Sequence, residues 1–273
     1  MVAPMLLKET TDMNLLDANY IFQVKEDGCR CVIHVKEGKV TGIFDRREKP
    51  ISRLYPEIRA LEFPGVESAI IDGEITVQVD GKSKFYEGIN QRSHAFYPER
   101  VETHPVTFIP FDILYLNGKP MVATPYKERL EKLTKLVTDA EHIRMIKTYQ
   151  DGREAWKEVL AKNLEGVVIK TPNGLYDVGG RSNECLKLKN YKTAMVTVIS
   201  TESNSRGTKI YGECEVDGEK IEVEAQIGGV YEVDEGATIE VTYLNIVRNK
   251  NTGRTSLRMP HLSKENKQNS GLI

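Results

Sequence analysis

The sequence predicts an α+β protein of two domains, a sheet-rich domain with helices over residues 1–189 and a small all-β barrel over residues 190–273. Before residue 190, strand-like segments are interrupted by stretches whose apolar residues recur at helical spacing. After it, short apolar segments alternate with glycine turns, and none has the period of a helix. A length of 273 residues is enough for two domains of this kind.

The composition indicates an intracellular globular protein. Hydrophobic residues make up 40% of the chain and charged residues 29%, with a net charge of −2. No apolar run reaches the roughly 18 residues needed to span a membrane, and the N-terminus lacks the pattern of a signal peptide. The net charge argues against a protein that coats nucleic acid everywhere, but it allows a basic face. The four cysteines form no Cys-x-x-Cys pair, so we expect neither a zinc site nor disulfides.

The first strong strand, residues 20–25, ends in a lysine. Because strand side chains have a period of two, Gln23 and Lys25 share one face. Asp27-Gly28 then predicts a turn, after which the chain continues the same sheet. Taken alone, Lys25 is most simply a solvated surface charge, since lysines are mostly exposed.

A second strong strand, residues 68–79, carries two acids on one face. Asp72 and Glu74 lie two positions apart, whereas the residues on the opposite face are mainly apolar. A buried carboxylate is costly unless it is paired or binds a metal. This face is therefore either solvated or functional.

The other elements of the first domain follow from the same periodicities. Pro56 fits the first turn of a short helix, and Asp151 is a plausible N-cap for a later one. Strands are predicted at 31–35, 40–44, 106–116, 165–170 and 185–189, and helices at 55–61, 125–137 and 152–163. Residues 176–182 form a glycine-rich loop that carries Arg181.

Beyond residue 190, glycine turns separate strands of about six to nine residues, which is typical of a small β-barrel. Towards its end the charge becomes one-sided. The basic residues of this stretch are Arg248, Lys250, Arg254, Arg258, Lys264 and Lys267, against Glu265 alone. The stretch is either a solvated tail or a contact with phosphates.

Together these residues have the chemistry of a nucleotide-phosphate site with a metal, and we expect them at strand ends of one sheet. Glu74 and Glu165 offer oxygen ligands for Mg²⁺. Phe111 offers a stacking surface for a base. Lys187 and Lys189, which alternate on the last strand, offer charge to an α-phosphate.

In the order of these motifs the chain resembles the ATP-dependent DNA ligases, within the covalent nucleotidyltransferase superfamily that also holds RNA ligases and mRNA capping enzymes. The resemblance runs from about residue 4 to residue 260. The segments that match family motifs are Lys25-Glu26-Asp27-Gly28-Cys29-Arg30, Arg46, Asp72-Gly73-Glu74, Phe111-Asp112, Glu165-Gly166-Val167-Val168-Ile169-Lys170 and Lys187-Leu188-Lys189, with Gly180-Arg181-Ser182 before the last.

The resemblance implies an adenylation domain of ATP-grasp-like antiparallel sheets with helices over 1–189 and an OB fold over 190–273, the minimal two-domain form. It implies nick sealing in duplex DNA through a lysyl-AMP intermediate, with ATP and Mg²⁺ or Mn²⁺ as cofactors. It further implies a monomer in the cytoplasm, of prokaryotic or viral origin, that serves DNA replication, repair and recombination.

The resemblance also assigns roles to residues. Lys25 is the nucleophile, and Glu165 and Glu74 are metal ligands. The nucleotide-binding residues are Gln23, Val24, Arg30, Arg46, Glu74, Phe111, Lys187 and Lys189. The residues implied to contact DNA or phosphate are Arg181, Arg248, Arg258, Lys264 and Lys267.

Two positions depart from the family pattern. The family often has Glu two residues before the nucleophile, where it reads the adenine amino group; here Gln23 keeps an acceptor oxygen without charge. The usual final Arg-x-Asp-Lys motif is replaced by residues 264–267, Lys-Glu-Asn-Lys. Lysine supplies a point charge but no bidentate fork, so another residue such as Arg258 is a second candidate for orienting pyrophosphate.

Two other functions remain open at this point. An RNA ligase or a GTP-dependent capping enzyme would share the same motifs. The altered final motif is also compatible with a nucleic-acid-binding protein that has lost catalysis, although the intact Lys25, Glu165 and Lys187 argue against this.

Overall fold

The computed structural model describes residues 2–205, 207–227, 233–248 and 252–262, and the account below refers to these ranges. The chain divides into two compact units, Met1–Lys189 and Asn190–Ile273. Strands dominate both units and all four α-helices of the described ranges lie in the first, which confirms the prediction of a sheet-rich α+β fold. None of these helices has the length and apolar character needed to cross a membrane.

The first unit contains eleven strands and four α-helices. In chain order they are β1 Leu6–Thr10, β2 Ile21–Val24, β3 Cys29–Lys36, β4 Lys39–Asp45, α1 Pro56–Arg59, β5 Ser68–Val79, β6 Lys82–Ser83, α2 Glu99–Thr103, β7 Val106–Leu116, β8 Lys119–Pro120, α3 Tyr126–Leu136, β9 Thr148–Tyr149, α4 Gly152–Lys162, β10 Gly166–Lys170 and β11 Arg181–Lys189.

These strands form two sheets. One has the order β1-β11-β10-β2-β9, and the other has the order β4-β3-β5-β7-β8 with β6 beside β5. Helices α1 and α3 bury Ile58 and Leu133 against the second sheet. Helix α4 buries Ala155 and Val159 against the first. Asp151 caps α4 by accepting from the Arg153 and Glu154 amides, as its sequence position predicts.

The expectation that all the motifs lie at strand ends of one sheet is wrong. Strand β2 pairs with β10 and β9, whereas the next strand, β3, pairs with β4 and β5 in the other sheet. Asp27-Gly28 therefore links two sheets instead of closing a hairpin. A Cβ on Gly28 would lie 2.4 Å from the Ile75 carbonyl oxygen, so the link passes directly against β5. Local periodicity predicts strands, but it does not determine which strands pair.

The described part of the second unit consists of strands and turns without a helix. Its strands are β12 Lys192–Asn204, β13 Gly207–Val216, β14 Glu219–Ile227, β15 Thr238–Tyr243, β16 Ile246–Arg248, β17 Thr255–Leu257 and β18 His261–Leu262. They form one sheet in the order β16-β17-β14-β13-β12-β15-β18. Alternate residues such as Val196, Val198 and Ile210 are buried in its own core, as the period of two requires.

Candidate active site

The motif residues of the first unit surround a pocket of about 700 Å³, and both sheets contribute to its walls. The sequence-predicted residues that line it are Gln23, Val24, Lys25, Arg30, Arg46, Glu74, Phe111, Arg181 and Lys187. The chain thus brings together residues that are up to about 160 positions apart in sequence, which a nucleotide site assembled from several motifs requires.

Lys25 follows the last residue of β2 and is held by both backbone and side chain. Its amide donates to the Gly166 carbonyl over 2.8 Å. Its Nζ lies 2.9 Å from Glu165 Oε1, and 21% of its side chain is exposed. Burial alone would lower the pKa of Lys25, but the carboxylates of Glu165 and Glu74 outweigh it, so the pKa is raised above its ordinary value. The resting site therefore holds Lys25 as an ammonium.

Gly166 allows Glu165 to reach this position. Its φ is +151°, and a Cβ there would lie 2.2 Å from the Leu188 carbonyl oxygen. Only glycine fits where β10 starts against β11. The Glu165-Gly166 pair thus places the carboxylate beside the end of β2.

Glu74, on β5 of the other sheet, is the second carboxylate near Lys25. Burial raises its pKa to about 8; the charges of Lys25 and Arg30 oppose the rise, and Glu165 and Asp72 add to it. At neutral pH much of Glu74 is therefore protonated. A nearby cation would drive the proton off, because it stabilises the carboxylate form.

The two acids suit a divalent metal that is bound together with a nucleotide. In the described ranges, no cluster of three or more His, Cys, Asp or Glu could hold a metal by itself. Mg²⁺ commonly binds through one or two carboxylates, with phosphate oxygens and water completing its shell. Glu165 and Glu74 can supply the protein's share of such a shell.

Arg30 lines the pocket and is held in place by Asp72. The Arg30 guanidinium donates to both Asp72 oxygens, over 2.9 and 2.5 Å, and lies 5.0 Å from the centroid of the Phe111 ring. Tyr176 donates to Asp72 over 2.6 Å and accepts from the amide of Met5 over 2.9 Å. Asp72 is fully buried, so the acid pair on β5 is not a solvated face.

Behind Phe111 lies a second buried polar group. The Gln23 side chain donates through Nε2 to the Tyr126 hydroxyl over 2.7 Å, and this hydroxyl donates to the Phe111 carbonyl over 3.0 Å. Lys170 donates to the same carbonyl over 3.2 Å and lies 3.9 Å from Asp112. Burial lowers the pKa of Lys170 despite the opposing charge of Asp112.

The lysines of the last motif share one partner. The amines of Lys187 and Lys189 lie 3.2 and 3.4 Å from the same oxygen of Glu9, on the neighbouring strand β1. The prediction that both point to one side of β11 is thus confirmed. Lys187 lines the pocket, whereas Lys189 is buried and lies outside its lining.

Several pocket residues were not expected from the sequence. Lys170 and Tyr176 have the roles described above, and Phe85, Ser93 and His94 come from the segment 84–104, which sequence patterns did not assign. Lys170 closes a matched motif, so a signal for it existed. Nothing in the local sequence marks the other four.

The basic residues predicted to contact DNA fall in different places. Arg181 begins β11 rather than lying in a loop, and its guanidinium donates to the Leu7 carbonyl. Arg248 ends β16, is exposed and donates to the Gly253 carbonyl over 3.3 Å. The backbone of Arg258 bonds to Asn245 and Leu244. Lys264 and Lys267 lie outside the described residues.

Comparisons with known proteins are consistent with this geometry. Residues 4–189 match the family model described as the ATP-dependent DNA ligase domain. The SPbeta prophage-derived DNA ligase-like protein LigB of Bacillus subtilis is 29% identical over 72% of this chain and 70% of its own length. A probable DNA ligase of Dictyoglomus turgidum is 33% identical, with 60% of this chain and 30% of that protein covered.

Solved structures show the same fold. The ligase domain of LigD from M. tuberculosis superposes with a TM-score of 0.63 and 21% identity, covering 96% of this chain and 93% of that one. A Lig E DNA ligase superposes with a TM-score of 0.67 and 16% identity, covering 96% and 98%. The chain spans only about a third of the archaeal DNA ligases it matches, such as that of Thermococcus onnurineus, at 36%.

Proposed function

This chain belongs to the ATP-dependent DNA ligase family, and on this premise we propose that it seals nicks in duplex DNA with Lys25 as its nucleophile. The observation that carries the proposal is the Lys25–Glu165 pair, 2.9 Å apart, at the pocket to which the other motif residues converge. A lysine that merely sat on a solvated surface would have none of these neighbours.

In the first step, Lys25 Nζ attacks the α-phosphorus of ATP. A nitrogen–phosphorus bond forms, the bond to the bridging oxygen breaks, and pyrophosphate leaves with the electron pair. The amine must first lose a proton, and Glu165 Oε1 is the acceptor within hydrogen-bond reach. Because the pKa of Lys25 is raised, this transfer is unfavourable until positive charge arrives.

A divalent metal held by Glu165 and Glu74 would supply that charge and would neutralise the phosphates. Lys187 adds a fixed cation on the pocket wall, where it can bind an α-phosphate oxygen. Lys189 is buried and shares Glu9 as its partner. We therefore expect nucleotide transfer to stop in a chelator.

The other residues that line the pocket are suited to bind the nucleoside part of ATP. The Phe111 ring, backed by Arg30, offers a face for the base. Gln23 lines the pocket beside Val24, and its proposed role is to read an edge of the base. Arg46 lies directly after β4 and Glu74 on β5, and both suit contacts to the ribose or to a phosphate.

AMP then passes from Lys25 to the 5′-phosphate at a nick, and attack by the 3′-hydroxyl on that phosphate expels AMP. We propose that Arg46 and Arg181 bind phosphates of the broken strand. We also propose that the all-β second unit is an OB fold whose exposed Arg248, with Arg258 and the lysines at 264 and 267, follows the DNA backbone. The protein is proposed to act as a cytoplasmic monomer.

One assay distinguishes the alternatives. The protein is stripped of bound AMP with pyrophosphate, incubated with labelled ATP or GTP and Mg²⁺, and then offered nicked DNA or nicked RNA. Label from ATP and sealing of DNA are expected, with no label on Lys25→Ala and wild-type label on Lys135→Ala, an exposed lysine of α3.

The other outcomes identify the rivals. A preference for GTP would indicate a capping enzyme, and sealing of RNA alone would indicate an RNA ligase. No label on the stripped wild type would indicate a protein that only binds nucleic acid.

A further inference from the structure

We infer that Tyr126 is a positioning residue that fixes the orientation of the Gln23 amide, and that this orientation makes the pocket select a 6-amino purine over a 6-oxo purine. The inference rests on the proposed function, in which Gln23 reads the base. It concerns a residue, Tyr126, that lies behind the pocket and outside its lining.

In the structure these hydrogen bonds run in one direction. The Tyr126 hydroxyl donates its single proton to the Phe111 carbonyl oxygen over 3.0 Å. The Gln23 amide donates to the same hydroxyl through Nε2 over 2.7 Å. With the amide flipped, the hydroxyl would have to turn its proton to Gln23 Oε1, and the Phe111 carbonyl would lose that donor and keep only Lys170.

Because both side chains are buried, solvent water does not offer them alternative hydrogen-bond partners. Gln23 and Tyr126 are each 2% exposed, so bulk water cannot reorganise around them. Lys170, whose amine lies 4.1 Å from the centroid of the Tyr126 ring, also donates to the Phe111 carbonyl. This second donor adds to the buried hydrogen-bond network around the hydroxyl.

The consequence appears at the pocket. With Nε2 engaged behind, Oε1 is the atom that Gln23 has left for a ligand. An oxygen acceptor matches the amino group of adenine and opposes the carbonyl of a 6-oxo purine. A carboxylate at this position would accept whichever oxygen faced the base. A neutral amide can exchange the positions of its oxygen and nitrogen, so its orientation must be fixed by a partner such as Tyr126; we call this hydrogen bond the lock.

The test compares transfer of AMP from ATP with transfer of IMP from ITP, whose base carries a 6-oxo group. In Tyr126→Phe the lock is lost and the amide can turn its donor to the pocket. We expect the ratio of kcat/KM for ATP to that for ITP to fall about tenfold, with the ITP value rising. A purely structural role would lower both values together. Tyr149→Phe, which also removes a hydrogen-bonded hydroxyl from a buried tyrosine, should leave the ratio unchanged.

A second pair of variants sharpens the test. In a Gln23→Glu background, either oxygen can accept, so adding Tyr126→Phe should leave the ratio where it was. An equal fall in both backgrounds would overturn the inference, as would an unchanged ratio in Tyr126→Phe alone.

A measurement on the wild type is independent of any variant. The side-chain amide protons of Gln23 should exchange slowly with solvent and show nuclear Overhauser contacts to the Tyr126 ring. Fast exchange would overturn the orientation. If the stripped wild type transferred no nucleotide, the proposed function would fail and this inference with it; transfer with an unresponsive ratio would remove the inference alone.

Discussion

Lys25 and Lys170 line the same pocket, yet the pKa values of their amines shift in opposite directions. Lys25 is ion-paired to Glu165 over 2.9 Å, and its pKa is raised. Lys170 is buried between the Phe111 and Tyr126 rings, its closest carboxylate oxygen is 3.9 Å away on Asp112, and its pKa is lowered. Judged by pKa alone, Lys170 would be the better nucleophile.

The positions of the two amines nevertheless favour Lys25 as the proposed nucleophile. The amine of Lys170 donates to the Phe111 carbonyl and lies against the Phe111 and Tyr126 rings, whereas Lys25 directly follows strand β2 and lines the pocket. A perturbed pKa therefore marks this site without identifying its nucleophile. We propose that the amine that reacts is that of Lys25, because the charges around it would change when phosphates and a cation bind.

The largest test of this comparison is to remove each lysine in turn. We expect Lys25→Met to abolish nucleotide transfer, and Lys170→Met to slow it about tenfold, because a methionine can fill the space between the two rings while Arg129 still pairs with Asp112. Peptide mapping of the labelled protein provides the measurement. Label on Lys170, or complete loss in a folded Lys170→Met, would reverse the assignment.

A smaller effect concerns Glu74, whose negative charge helps to raise the pKa of Lys25. The pKa of Glu74 is about 8 in the folded protein and about 4.5 when unfolded. Between these values the folded state holds a proton that the unfolded state has lost, so the free energy of unfolding falls as pH rises. Glu74→Gln should remove this pH dependence, which amounts to about 2 kcal/mol of unfolding free energy between pH 5 and 7. Over this pH range the Tm of the variant should therefore fall less than that of the wild type, by several degrees.

The control for this measurement is Glu102→Gln, an exposed acid on α2, which should keep the wild-type slope. Melting curves of the nucleotide-free, metal-free proteins at intervals from pH 5 to 8 give the comparison. Parallel curves for wild type and Glu74→Gln would show that the carboxyl is ionised throughout this range.

The smallest effect is expected at Glu9, whose carboxylate holds the amines of Lys187 and Lys189. Because Glu9 competes with phosphate for these amines and is partly exposed, Glu9→Gln should tighten ATP binding only about threefold. Calorimetric titration with Mg·ATP measures this, with Glu9→Asp as the variant that keeps the charge. Weaker binding in Glu9→Gln would mean that the acid orients the lysines more than it competes for them.

Sequence patterns predicted the long strands and the helices well. Strands β5 and β7 begin and end where the periodicity placed them, because each runs continuously through an apolar core. The proposed roles of Lys25 and Glu165 rest on motif order. That signal is chemical rather than conformational, since a nucleophile and its ion partner need not be neighbours in sequence.

The structural features that local sequence patterns did not predict depend on contacts between residues far apart in the sequence. The segment 84–104 is held by Arg92, which is 1% exposed and bonds to Glu57 and to the carbonyls of Leu54, Arg100 and His104. An arginine in a polar stretch carries no sign of such burial. The separation of β2 from β3 into different sheets was missed for the same reason, because strand pairing is settled by tertiary packing.

The pairing of β1 with β11 and of β2 with β10 also determines when the site can form during translation. Lys25 leaves the ribosome early, whereas Glu165 and Lys187 are made only as the first unit nears completion. A nascent chain cannot close these long-range pairings until its last partner strand emerges. Until residue 189 has emerged, Lys25 therefore lacks the partners that surround it in the folded unit, and the proposed nucleophile can form only when that unit is complete.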